Sequence, residues 1–331
     1  MSGRSRCQEQ TTYKRVRRRF AVGVLLCLSQ FPGIAAESLE ATLRAANVPV
    51  EKFTVAERRA DITSFAIATG EPFLLAYYVD DGSGWLQSPL YVIRYARDTG
   101  DLRRAQLRNV DAVFKRSIPM YCLGSALRIR EYSDTILIET HVNPSAGCVI
   151  ILSLELSLRT AVSGWLLGLM GGKYAIVQTS EVHFMAVHPL HIEVFDLKLN
   201  RSVVVYPSRQ DRLRREYSRL VQSHISEKWC IEHNAPCDPE EFDTSINGAL
   251  TVNEAARAFG FEARFDAGGF GDDAEIHVEP RTVAYVFRER GGRWQFRQFL
   301  ANQLQSRFGS STIQELVRRT PNAAFEITVP K

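Results

Sequence analysis

Three histidines, His183, His188 and His191, fall within nine residues, and three imidazoles are enough to hold a metal ion. In an extended chain alternate residues share a face. His183 and His191 therefore match in parity and His188 does not, unless Pro189 bends the chain. Cys230, His233 and Cys237 form a second cluster, since thiolate and imidazole suit zinc. As a fourth ligand, His224 or Asp238 would have to serve. Two carboxylates beside an aromatic ring, Asp80, Asp81 and Trp85, are the residue types that hydrolyse a glycosidic bond. Asp266, Asp272, Asp273 and Glu275 surround Gly268-Gly269-Phe270-Gly271. Such a loop offers oxygens to calcium, but without the EF-hand spacing. Arg209, Arg212, Arg214, Arg215 and Arg219 offer positive charge to acidic glycans or lipid head groups. Asp211 and Glu216 interleave with them.

The sequence holds no Gly-any-Ser-any-Gly elbow, no His-Glu-any-any-His and no phosphate-cradling Gly-Lys-Thr loop. It also has no Cys-any-any-Cys-His haem site. No metal site or cofactor is expected, and the enzyme reading ranks second, as a carbohydrate-active hydrolase at Asp80, Asp81 and Trp85. The leading expectation is a non-catalytic binding protein with a protein or glycan partner.

The elements that must position these residues are mainly β-strands. Residues 61–206 carry three batches of short strands. They are Phe73–Val79 with Leu90–Tyr95, Ile136–Thr140 with Cys148–Leu156, and Tyr174–Val177 with His191–Leu197 and Ser202–Tyr206. Gly, Pro, Asn and Asp separate them. The runs are dense in Val, Ile, Leu and Tyr with imperfect alternation, which predicts strands covered on both faces. Residues 37–60 precede them as a helical segment, with Leu39, Leu43 and Ala46 on one face. Residues 207–240 hold a central helix over 209–228, started by a Ser208–Asp211 capping pair, and then a cysteine loop. Residues 241–331 return to strands. Phe259, Phe261, Ala263 and Phe265 alternate with Gly260, Glu262 and Arg264, the pattern of a half-buried strand. Gly291-Gly292 marks a hairpin. Short helices near 303–308 and 311–319 follow, the second with Ser311 and Gln314 as its capping pair. Phe325–Val329 is a last strand that could close an earlier sheet.

Aligning Tyr95, Ser153 and Phe195 gives irregular steps of 58 and 42 residues, the second within the roughly 40–50 of a four-stranded propeller blade. The fold class is therefore mainly β, either an irregular β-propeller-like stack or an antiparallel meander of strand modules. Asp80-Asp81-Gly82-Ser83-Gly84-Trp85 partly resembles the Asp-box of sialidase-like propellers, which is a turn. Asp80, Gly82 and Trp85 match that box, while Tyr78 and Gly84 replace its Ser and Thr. The chain also resembles uncharacterised exported β-rich, propeller-like proteins of environmental bacteria. The resemblance rests on Pro144-Ser145-Ala146-Gly147-Cys148 before a strand, and on Trp229, Cys230, His233, Asn234, Cys237, Asp238 and Pro239. It implies a compartment and a fold, and carries no activity.

Residues 1–36 read as a secretory signal: a basic region at Lys14, Arg15 and Arg17–Arg19, an apolar run Phe20–Leu28, and small residues ending at Ala35-Ala36. Arg17-Arg18-Arg19-Phe20 loosely matches a twin-arginine signal, and an uncleaved membrane anchor is the alternative. The expected location is outside the cytoplasm, in the periplasm, at the cell surface or beyond. The chain's 41 Lys+Arg and 37 Asp+Glu give +4. Seven basic residues and one acidic residue lie in 1–36, so the remaining 34 and 36 leave −2. That near-neutral balance gives no support to bulk nucleic-acid binding. Beyond residue 36, four cysteines remain, Cys122, Cys148, Cys230 and Cys237, which allow three pairings. Proximity favours Cys230–Cys237, and elimination then leaves Cys122–Cys148. Mass mapping under non-reducing conditions is expected to find Cys230 linked to Cys237. Free thiols at both would overturn that pairing and restore the zinc reading.

Overall fold

The computed structural model describes residues 37–79, 88–108, 122–143, 146–179, 190–224, 242–267 and 278–319. The chain divides into two units, Met1–Ser64 and Phe65–Lys331. The first holds β1 (Glu37–Ser38), α1 (Leu39–Ala45), a 3-10 turn at Val50–Lys52 and α2 (Val55–Arg58). Both helices start on side-chain caps. The Ser38 hydroxyl accepts from Ala41 N at 3.2 Å. Thr54 and Glu57 form a reciprocal box, at 3.2 Å and 2.7 Å, which satisfies two amides that the first turn leaves without a helical partner. Ser38 pairs with Asp61, where β2 (Asp61–Ala68) begins.

The second unit is four antiparallel meanders in chain order. From residue 65 on, β2 is followed by β3 (Phe73–Val79), β4 (Leu90–Ala96) and β5 (Asp101–Leu107). Next come β6 (Ser125–Tyr132), β7 (Thr135–Asn143), β8 (Ala146–Ser153) and β9 (Leu158–Met170), then β10 (Tyr174–Thr179), β11 (His191–Asp196) and β12 (Arg201–Tyr206). Helix α3 (Arg212–His224) leads into β13 (Asp243–Asn253), β14 (Ala258–Asp266), β15 (Arg281–Arg290) and β16 (Arg293–Leu300). The short helices α4 (Leu304–Phe308) and α5 (Ile313–Arg319) end the described chain. The fold is mainly β with several antiparallel sheets and a central helix, and each sheet is a meander.

β9 belongs to two sheets. Leu158–Ser163 pairs with β8, and Gly164–Met170 pairs with β10. The second sheet is thus β6–β9, and the third is the far half of β9 with β10–β12. The switch falls at Gly164, at φ +145. A Cβ there would lie 2.0 Å from the Gln178 carbonyl oxygen, so only glycine allows the strand to cross. Tyr95, Ser153 and Phe195, aligned by sequence, lie in β4, β8 and β11, the next-to-last strand of each of the first three sheets.

Parity explains the dense apolar runs. Ile136, Ile138 and Ile150 pack toward the first sheet with Leu74, Ala76 and Val92. Leu137, Val149 and Ile151 turn the other way, onto Ala175, Val177 and Phe195 of the third sheet. Tyr174, Ile176, Ile192 and Val194 face the fourth sheet and meet Phe259, Phe261, Tyr285 and Phe287. Ala284 and Val286 on the far face of β15 are covered by Ile313, Leu316 and Val317 of α5. Successive sheets therefore stack face to face, and interior strands are buried on both faces. Cys122 and Cys148 are joined by a disulfide, Cα–Cα 5.0 Å, inside the layer between the first two sheets.

Three details differ from the sequence reading. The central helix begins at Arg212, because Asp211, not Ser208, is its cap: the Asp211 carboxylate accepts from Arg214 N at 2.9 Å. The α5 cap is Thr312, whose hydroxyl accepts from Glu315 N at 3.2 Å, while the Glu315 carboxylate accepts from Ser311 N at 2.9 Å. β14 is more than half buried, because Gly260 lies under Val317 and Ile313. Phe325–Val329 lies outside the described residues.

Gly164→Ala is expected to destabilise the protein by about 3 kcal/mol or more, since backbone or sheet must move. Gly171→Ala, at φ +60 with nothing within 4 Å of the added carbon, should cost about 1–2 kcal/mol. Denaturant unfolding of both variants checks the difference.

Candidate functional site

A cleft of about 850 Å³ opens between the third and fourth sheets. One wall is β12 and the segment after it. The other is the β15–β16 hairpin, whose turn residues Gly291 and Gly292 sit at φ 59 and 78, the left-handed pair that a two-residue hairpin requires. That turn brings Arg293, Trp294 and Phe296 to the cleft. Alternation along β16 leaves Arg293 exposed and Trp294 and Phe296 half-buried.

The walls are aromatic. Trp294 meets Tyr174 edge-on at 5.4 Å between centroids, and Phe296 stacks on Phe287 at 5.8 Å. Lys173 donates to the Tyr174 hydroxyl at 2.9 Å and pairs with Asp196 at 3.1 Å. The Tyr174 hydrogen bond, with help from Asp196, raises the Lys173 ammonium above its ordinary range, so it stays charged. The other Asp196 oxygen accepts from Lys198 N at 3.1 Å and Leu199 N at 3.0 Å. Asp196 is the one carboxylate among the described lining residues, and both its oxygens are occupied. Glycoside hydrolysis needs two carboxyl groups across the bond, and the described lining residues supply this one. Arg201, Arg209 and Arg293 also line it, and form no ion pair or side-chain hydrogen bond with any described residue. Among its described lining residues the cleft carries net positive charge on apolar walls.

Behind the cleft lies a buried carboxylate. Asp211 is 1% exposed. It accepts from the Tyr285 hydroxyl at 2.5 Å and from the Arg214 amide. Tyr206 packs edge-on against Tyr285 at 5.0 Å. Gln298 of β16 accepts from Leu213 N at 3.1 Å. The start of α3 is therefore tied to the fourth sheet by two side chains. Burial raises the Asp211 carboxyl above its ordinary value, opposed in part by the Tyr285 hydrogen bond. Burial likewise pushes both tyrosine hydroxyls upward.

Of the residues singled out by sequence, Asp80, Asp81, Trp85, His183, His188, Cys230 and Cys237 lie outside the described residues. His191 opens β11, half-buried. Among the described residues no three His, Cys, Asp or Glu side chains gather as a metal site. The arginine series divides. Arg209 reaches the cleft, Arg212 pairs with Glu216 at 2.9 Å, and Arg214 lies over the Phe242 ring at 5.3 Å. Lys173, Asp196, Arg201 and Trp294 were not legible as a site. The one signal was Trp294 and Phe296 alternating with arginines.

No family model matches the chain, and no curated protein does. Among solved structures it is similar to the β-propeller domain of the Trilobed protease from Pyrococcus furiosus, described as having an open velcro topology. The identity is 8%, over 72% of this chain and 78% of that one, with a TM-score of 0.22. No helix among the described residues is long and apolar enough to cross a membrane.

A carboxyl raised on folding binds a proton that the unfolded chain releases, so its ionisation costs stability as pH rises. The stability of wild type relative to Asp211→Asn is expected to fall as pH climbs above 3.8, the ordinary value, and to level off above the folded value. Urea unfolding across that range checks it; a constant difference would contradict it.

Proposed function

We propose that this chain is an exported, non-catalytic binding protein of the cell envelope that holds an acidic protein or glycan partner in the cleft between its third and fourth sheets. The observation that carries this reading is the charge of the cleft. Three arginines without partners among the described residues stand on aromatic walls, and the one lining carboxylate is already engaged. A cation without a local partner at a concave, low-dielectric surface attracts anions more strongly than one on an open surface. Flat aromatic faces suit sugar rings and apolar side chains alike. The signal-like residues 1–36 and the disulfide between Cys122 and Cys148 support export, because disulfides persist in oxidising compartments.

Titration with an acidic oligosaccharide, oligogalacturonate, and with an acidic peptide tests the reading. At least one is expected to bind, to weaken with added salt, and to change the emission of Trp294. Arg201→Ala, Arg209→Ala and Arg293→Ala should each reduce affinity by about tenfold, the worth of a hydrogen bond to a charged group. Binding that none of the three changes would remove the cleft from the account.

A further inference from the structure

From the strand that walls the cleft, we infer that the partner is an acidic peptide segment that binds in extended form, adding a strand to the edge of β12 that no described strand pairs. This rests on the reading of the cleft as the binding site and specifies its ligand.

Among the described strands, β12 is the terminal one of its sheet. Its register with β11 is regular from Arg201↔Asp196 to Val204↔Glu193, then shifts at a bulge before Tyr206↔Ile192. Parity places Arg201 and Val203 on the face toward the fourth sheet, and Ser202 and Val204 on the opposite face. All four line the same cleft. Arg201 through Val204 are exposed at successive positions, so on both faces of the strand, and a cavity that all four residues line reaches the strand's edge. The cleft is therefore bounded by a row of backbone N–H and C=O groups. The ligand that matches such a row at its own spacing is another strand.

Edges left for solvent are blunted by charge, proline or bulges. Here the bulge and Pro207 come only after Val204. The regular stretch keeps Val203 and Val204 at 46% and 51% exposure, and Leu199 in the preceding turn is 55% exposed. Exposed apolar side chains beside free main-chain groups fit an incoming strand with apolar residues of its own. Charge selects the partner. Arg201, Arg209 and Arg293 call for carboxylates, so the segment alternates acidic and apolar residues. A second copy of this chain, paired through the same edge, would bring two sets of arginines into one cleft. Like charge opposes that.

A short labelled peptide alternating glutamate and valine, titrated into the full-length protein by fluorescence anisotropy, tests the inference. Two N-methylated versions accompany it, one methylated at odd amides and the other at even amides. A strand bonds its neighbour through alternate amides. One version is therefore expected to lose at least about tenfold in affinity, and the other to bind like the parent. On the protein, Val203→Pro and Val204→Pro should differ in the same parity-dependent way. The methylated peptides keep the test independent of whether those variants fold. Equal binding of both methylated forms, each like the parent, overturns strand addition in favour of charge alone. Loss of binding by both also overturns it. Oligogalacturonate binding without the peptide overturns the peptide and leaves the cleft as the site. Neither ligand binding overturns both readings. Dimerisation that the β12 proline variants abolish assigns the edge to a second copy and overturns the inference.

Discussion

One strand serving two sheets is the constraint on which the second unit depends. β9 gives its first half to β8 and its second to β10, and Gly164 is where it changes partner. The crossing turns the strand without ending it, so the second and third sheets share a continuous backbone. Their faces then pack on each other through Leu137, Val149, Ala175 and Val177. Because the third sheet is held at that angle, its other face presents Tyr174, Ile176 and Val194 to the aromatic face of β14 and β15. β12, the last described strand of that sheet, keeps Val205 and Tyr206 in this packed layer and leaves Arg201–Val204 exposed beside the cleft.

The layer between the third and fourth sheets is mostly aromatic. Tyr206, Tyr285, Phe261 and Phe287 interlock at centroid distances from 5.0 to 6.3 Å, and such pairs contribute about 0.5–1.5 kcal/mol each beyond their burial. Asp211 is the polar exception. It caps α3 and accepts from Tyr285, so the helix is fastened to the sheet that it covers. A buried carboxylate with both oxygens satisfied is tolerated, whereas one left unpaired would cost several kcal/mol.

Much of the strand pattern was legible, because doubly buried strands must be apolar at nearly every position. Phe73–Val79 and Leu90–Ala96 show this. β5 escaped notice because Asp101–Leu107 is an edge strand rich in Arg and Gln, with Leu107 its one buried residue. β9 escaped because most of its residues are only partly buried and two glycines interrupt it. The cleft was hidden for a different reason. Lys173 and Arg293 are 120 positions apart in the sequence, and a hairpin turn and a strand edge bring them to one cavity. The residue clusters that looked chemical in one dimension, the histidines and the paired carboxylates, fall mostly outside the described residues.

Native-state hydrogen exchange along β9 tests the shared strand most directly. If one strand couples both sheets, amides in Leu158–Ser163 and Gly164–Met170 should exchange with the same opening free energy and respond alike to denaturant. Different opening energies for the two halves, with one sheet opening while the other stays protected, would contradict the account.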